Sequence, residues 1–147
     1  KHRISTRGVK NLVLSGYAIN FLPEIHGASD LEELIILDVD RRCFFESFFS
    51  FDTDFRLCNL ERLMIGNCAI DVLKIRKIKD RVLEYLRFVP REEENFSYLK
   101  ARYLFSPIDI GRVRERGFFV PEEVRQILKY TLVDDEGVEK KKTGFIW

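Results

Sequence analysis

Cysteine and histidine are scarce in this chain: three Cys and two His in 147 residues. Cys43, Cys58 and Cys68 form no close-spaced pair, so a disulfide framework is excluded and a reducing, intracellular compartment, cytoplasmic or nuclear, is expected. His2 and His26 lie far from any C-x-x-C, which leaves zinc no ligand nucleus, and no metal is expected. There is no apolar run approaching the roughly 18 residues of a membrane helix, and no signal peptide. Charge of one sign is missing too: 25 Lys and Arg face 24 Asp and Glu, a net charge of +1 that gives no global pull toward polyanions. A first residue of Lys1 rather than methionine is expected of a processed chain or a piece of a longer one.

Signatures of catalysis are also lacking. The chain has no G-x-x-x-x-G-K-[ST], G-x-G-x-x-G, G-x-S-x-G or H-E-x-x-H stretch, so the common phosphate-binding, acyl-transfer and zinc-hydrolase arrangements are excluded. Cys68 has no evident base, and the run Glu92, Glu93, Glu94 follows Pro90 as a solvated loop rather than a metal site. No enzyme, cofactor or small-molecule substrate is expected.

What is present is apolar residue in a repeating frame. Hydrophobic residues make up 46% of the chain and charged residues 33%, with 13 Phe, enough for a folded core of its own. Leu60, Leu63, Ile65, Ile70 and Leu73 occupy relative positions 1, 4, 6, 11 and 14 of one stretch, with Cys68 at position 9. Val9, Leu12, Leu14, Ile19 and Leu22 repeat the frame, with Tyr17 at position 9. Leu31, Leu34 and Ile36 match its first half, although Val39 and Arg41 depart from the second, and Leu83, Leu86 and Phe88 match before Pro90. Unit starts at residues 9, 31, 60 and 83 fall within repeat lengths of about 20–29 residues.

This spacing, L-x-x-L-x-L-x-x-N/C-x-L, resembles a leucine-rich repeat. The resemblance implies an α/β solenoid with a short parallel sheet, helices or turns on the outer side, Cys68 buried at a bend, and a concave strand face that commonly binds proteins and sometimes RNA. Two stretches fit outer helices: Phe44, Phe45, Phe48 and Phe49 on one side of a helix, and Leu73, Ile75, Ile78 and Val82 on another, with Asp71 as its N-cap. Residues 1–8 then form a basic leader, 9–90 the repeat-like array, 91–133 a helical C-terminal cap, and 134–147 a charged tail with an apolar end. Within the cap, residues 96–105 fit a last strand or a helix equally. Residues 121–130, with Pro121 first, Glu122 and Glu123 in the first turn and Val124, Ile127 and Leu128 on one face, read as the clearest helix. Phe145, Ile146 and Trp147 end the chain as an anchor for its own surface or a partner's.

Alternation in an L-x-x-L-x-L strand sends positions 1, 4 and 6 to the core and positions 3, 5 and 7 to the open face. The open face then carries a central row of Val13, Ile35, Met64 and Arg87, flanked by Glu33, Arg62 and Tyr85 on one side and Leu37 on the other. A contiguous apolar patch on a free face marks an interaction surface, so these eight residues are the expected protein-binding site; the competing expectation is that the C-terminal segment folds back over them. The alternative function is contact with RNA in a ribonucleoprotein. It draws on Lys1, Arg3, Arg7 and Lys10, on Lys74, Arg76, Lys77, Lys79 and Arg81, and on Lys140, Lys141 and Lys142.

Overall fold

The computed structural model describes residues 4–5, 7–16, 18, 25–26, 30–37, 59–66, 73, 81–90, 100–101, 103 and 105–143. Along the chain the strands are β1 (Ile4–Ser5), β2 (Asn11–Ser15), β3 (Ile25–His26), β4 (Glu33–Leu37), β5 (Arg62–Gly66), β6 (Tyr85–Val89), β7 (Ile108–Arg114), β8 (Phe118–Phe119), β9 (Leu128–Val133) and β10 (Glu139–Thr143). A 3₁₀ turn, Glu115–Gly117, precedes β8, and a single-turn helix α1, Glu122–Arg125, precedes β9. The fold is α/β, built on a five-stranded parallel sheet in the order β2-β4-β5-β6-β8. A three-stranded sheet runs β10-β9-β7, and β1 pairs with β3.

The large sheet follows from the repeated leucines. Leu12, Leu34, Leu63, Leu86 and Phe118 stand in one cross-strand register, and Leu14, Ile36, Ile65 and Phe88 in another. Leu31, Leu60 and Leu83, at the first position of their units, are fully buried with them. Each unit is joined to the next in the same way: the Lys10 carbonyl accepts the N–H groups of Glu32 and Glu33, the Glu32 carbonyl those of Glu61 and Arg62, and the Glu61 carbonyl those of Glu84 and Tyr85. Sequence spacing thus becomes backbone register, and one buried face runs under every strand.

At β6 the sheet forks. Leu83 pairs with Val113 of β7, its N–H donating to the Arg112 carbonyl at 2.8 Å and its carbonyl accepting from the Arg114 N–H at 2.9 Å. From the second residue of β6, Leu86 and Arg87 pair instead with Phe118 and Phe119 of β8. The 3₁₀ turn at Glu115–Gly117 makes the change of partner, and it depends on Gly117: a Cβ there would lie 2.0 Å from the Glu84 carbonyl oxygen. The residues buried beneath the array and those of the C-terminal sheet form one cluster, from Leu14 to Leu132.

The C-terminal expectations require correction. Of the helix expected over residues 121–130, only Glu122–Arg125 is helical, with Pro121 as its N-cap, and Leu128–Val133 is a strand. Val124, Ile127 and Leu128 satisfy a helical period, but Leu128, Tyr130 and Leu132 alternate with Lys129 and Thr131, and pairing with β7 secures the longer alternation. The expected helical cap over residues 91–133 is, among the described residues, mainly sheet. The charged stretch from Asp134 is a hairpin: β10 pairs antiparallel with β9, and the Asp134 carboxylate accepts the N–H groups of Glu136 at 2.9 Å and Val138 at 2.8 Å. The outer helices expected around Phe44–Phe49 and residues 73–82, the bend at Cys68, Tyr17, and the apolar end Phe145, Ile146, Trp147 lie outside the described residues, except for the buried Leu73 and residues 81 and 82.

Candidate functional site

The face of the large sheet opposite the core is set by the same alternation. In β4 the buried Leu34 and Ile36 alternate with half-buried Glu33, Ile35 and Leu37, and in β6 the buried Leu86 and Phe88 alternate with Tyr85, Arg87 and Val89. Register places Val13, Ile35, Met64 and Arg87 side by side as one row, and adds Phe119 of β8 at its end. Val13 is 63% exposed and Phe119 51%. Neither is needed to fill the core, which lies on the other side of the sheet.

Beside this row runs a second, Asn11, Glu33, Arg62 and Tyr85. Its side chains are linked: the Glu33 carboxylate lies 3.3 Å from the Arg62 Nε, the Arg62 guanidinium stands 5.0 Å from the centre of the Tyr85 ring, and that ring meets Phe119 at 5.6 Å between centroids. An ion pair, a cation–π contact and a ring pair therefore brace one margin of the face, each modest because each is partly solvated. Leu37, on the other margin, pairs with Ser15.

The row ends in a cleft of about 600 Å³ lined by Tyr85, Arg87, Phe118, Phe119, Pro121 and Arg125, together with Phe88 and Val120. Arg125 is held firmly there. Its Nε donates to the Val120 carbonyl at 2.7 Å, and its guanidinium lies 4.8 Å from the centre of the Phe118 ring. Phe118 in turn packs on Tyr130 at 4.7 Å, and burial raises the Tyr130 hydroxyl pKa despite the opposing charge of Arg125.

All eight residues expected at the site from sequence thus lie on one sheet, with Glu33, Ile35, Arg62, Met64, Tyr85 and Arg87 in mutual register and Val13 and Leu37 joined through β2 and β4. Phe119, Pro121 and Arg125 were not expected there. The available signal was Phe118 and Val120, which hold positions 4 and 6 of a fifth unit, but Glu115 stands where that unit's first leucine belongs.

The basic residues expected to meet RNA are not assembled into one surface among the described residues. Arg7, Lys10 and Arg81 line a groove of about 480 Å³ with Asp30, Glu32 and Glu61, and Lys10 pairs with Glu32 at 3.1 Å. Lys140, Lys141 and Lys142 lie on β10, in the other sheet, while Lys1, Arg3, Lys74, Arg76, Lys77 and Lys79 fall outside the described residues. Among the described residues no helix is long and apolar enough to cross a membrane.

No protein-family model, curated protein or solved structure matches the chain. What the face binds has to be argued from its own chemistry.

Proposed function

We propose that the chain is a non-catalytic interaction module, a short solenoid of leucine-rich-repeat type whose strand face receives a protein partner within a larger assembly. The supporting observation is the row Val13, Ile35, Met64, Arg87 and Phe119, aligned across five strands on the side away from the core. Burial of apolar surface returns about 25 cal/mol per Å², so covering Val13, Met64 and Phe119 would contribute several kcal/mol to association before its entropic cost. Aromatic, Met and Arg side chains are also those enriched where interfaces concentrate their energy.

The test uses the full chain as bait in an extract of its native source, beside Val13→Glu and Met64→Glu. A charge at either position obstructs docking, and Val13 projects into solvent, so its variant keeps a cooperative unfolding transition. Proteins retained by the wild-type chain and lost from both variants support the reading. Retention of the same proteins by both folded variants refutes it.

A further inference from the structure

The two halves of the open face differ in charge. Toward β2 the row is apolar, Val13, Ile35 and Met64, and the nearest cation, Arg62, is already matched by Glu33 at 3.3 Å. Toward β8 the exposed Arg87 makes no ion pair among the described residues, and the cleft it enters is lined by a second arginine, Arg125, with no carboxylate among the described lining residues. Tyr85 and Phe119 wall the same cleft with their ring centroids 5.6 Å apart, and Arg125 lies against Phe118, so both arginines share a cleft with aromatic walls where an incoming anion would be partly desolvated.

Resting on the docking face proposed above, we infer that its partner is an acidic, apolar peptide segment, laid across the strands with a carboxylate side chain in the Arg87–Arg125 cleft and aliphatic or aromatic side chains on Met64, Ile35 and Val13. Charge complementarity fixes which end of the segment lies over β8. The span agrees with a short linear motif: four inter-strand steps of about 4.8 Å come to about 19 Å, the reach of about six extended residues. A helical segment of about thirteen residues would cover the same distance. A nucleic-acid backbone fits this face less well, since after Arg87 it would meet three apolar side chains bordered by Glu33.

A displayed library of random peptides of about sixteen residues, long enough for either conformation, is selected on the full chain, on Arg87→Glu and on Val13→Glu. The wild-type chain is expected to enrich peptides that combine Asp or Glu with apolar residues. Their affinity should fall about tenfold on Arg87→Glu, since reversal both removes an attraction and adds a repulsion, and should fall further in high salt. Arg87→Gln, which leaves no reversed charge, serves in its place if the reversal prevents folding, with a loss of about fivefold expected. Peptides lost on Val13→Glu but bound equally by both Arg87 variants would overturn the acidic preference and leave the docking face standing. Peptides retained by all variants, or no enrichment on the wild-type chain, would overturn both. Displacement of the bound peptides by poly(U) with a steep salt dependence would overturn the choice of a peptide in favour of RNA.

Discussion

Gly117→Ala tests how the fifth strand is held. Gly117 has no positive φ, so its backbone is open to any residue, and the only obstacle to a side chain is steric. An added Cβ would lie 2.0 Å from the Glu84 carbonyl oxygen, 3.1 Å from the Glu84 carbonyl carbon and 3.2 Å from the Tyr85 Cα. All three are backbone atoms at the start of β6 and the residue before it, so no side chain can swing aside. Relief of the first contact needs a separation of more than about 1 Å, since a relaxed contact lies beyond about 3 Å. Such a shift strains or breaks the pairing of Leu86 with Phe118 and of Arg87 with Phe119. Overpacking costs about 1–3 kcal/mol and each weakened backbone hydrogen bond about 0.5–1.5 kcal/mol, so a loss of about 2–4 kcal/mol is expected.

For a chain of this size that corresponds to a fall in Tm of about 5–15 °C, read by thermal unfolding and checked by urea titration. Gly137→Ala is the control. Gly137 has φ +83° and nothing within 4 Å of its added Cβ, so its cost is conformational, about 1 kcal/mol. A Gly117→Ala variant within about 0.5 kcal/mol of wild type, the usual scatter of surface changes, would refute the close approach of β8 to β6.

Other consequences are as direct. Leu63→Ala, at a fully buried position in the middle of the sheet, should cost about 2–5 kcal/mol in urea unfolding, whereas Val13→Ala, one register row away on the open face, should change stability by no more than about 0.5 kcal/mol. Arg125→Lys keeps the charge but loses the planar group over Phe118 and the directed bond to the Val120 carbonyl, so a loss of about 1 kcal/mol is expected from the same measurement. Burial holds the Tyr130 hydroxyl pKa above its ordinary value. As pH rises past about 10, the unfolded chain therefore releases this proton first, and stability falls through the raised pKa. Urea midpoints should show an alkaline loss that Tyr130→Phe reduces; equal slopes in the two proteins would contradict the assignment.

The strands of the array were legible because their residues satisfy two constraints together. Leu34, Leu63 and Leu86 recur at one position of each unit and become fully buried neighbours, so repeat spacing alone gave the cross-strand register. The open row followed by alternation. Beyond residue 90 the same reasoning failed for identifiable causes. Phe118 and Val120 hold core positions of a further unit, yet Glu115 removes its leading leucine because β7 already occupies that place beside Leu83. Leu128 closes a helical pattern with Val124 and opens an alternating one with Tyr130 and Leu132; the strand prevails through pairing with β7, a contact of which sequence spacing carries no trace. Lys140, Lys141 and Lys142 read as a solvated tail because lysine is a poor strand former, although lysines on an outer strand also discourage further pairing. The turn around Gly137 was the local sign of the hairpin.

The fork at β6 ties the candidate site to the part of the chain that sequence assigned to a cap. Tyr85 and Arg87 come from the array, but Phe119 and Arg125 come from the segment between β7 and β9, and they reach the face only because Gly117 lets β8 lie against Glu84. Arg125 depends on Val120 and Phe118, and Phe118 on Tyr130 of β9. Glu84 is fastened to the end of β7 through Arg114, whose Nε lies 3.3 Å from the Glu84 carboxylate. The cleft is therefore a product of two sheets, with one wall fixed by the leucine ladder and the other by the packing of β8 on β9. Weakening the β7–β9–β10 sheet should loosen the Phe119–Arg125 wall while Val13, Ile35 and Met64 remain in register. The charge-selective end of the face and its apolar end thus have separable structural supports, which is why a lesion at Gly117 and one at Val13 should impair binding in different ways: the first by relaxing the preference for acidic residues, the second by removing apolar contact.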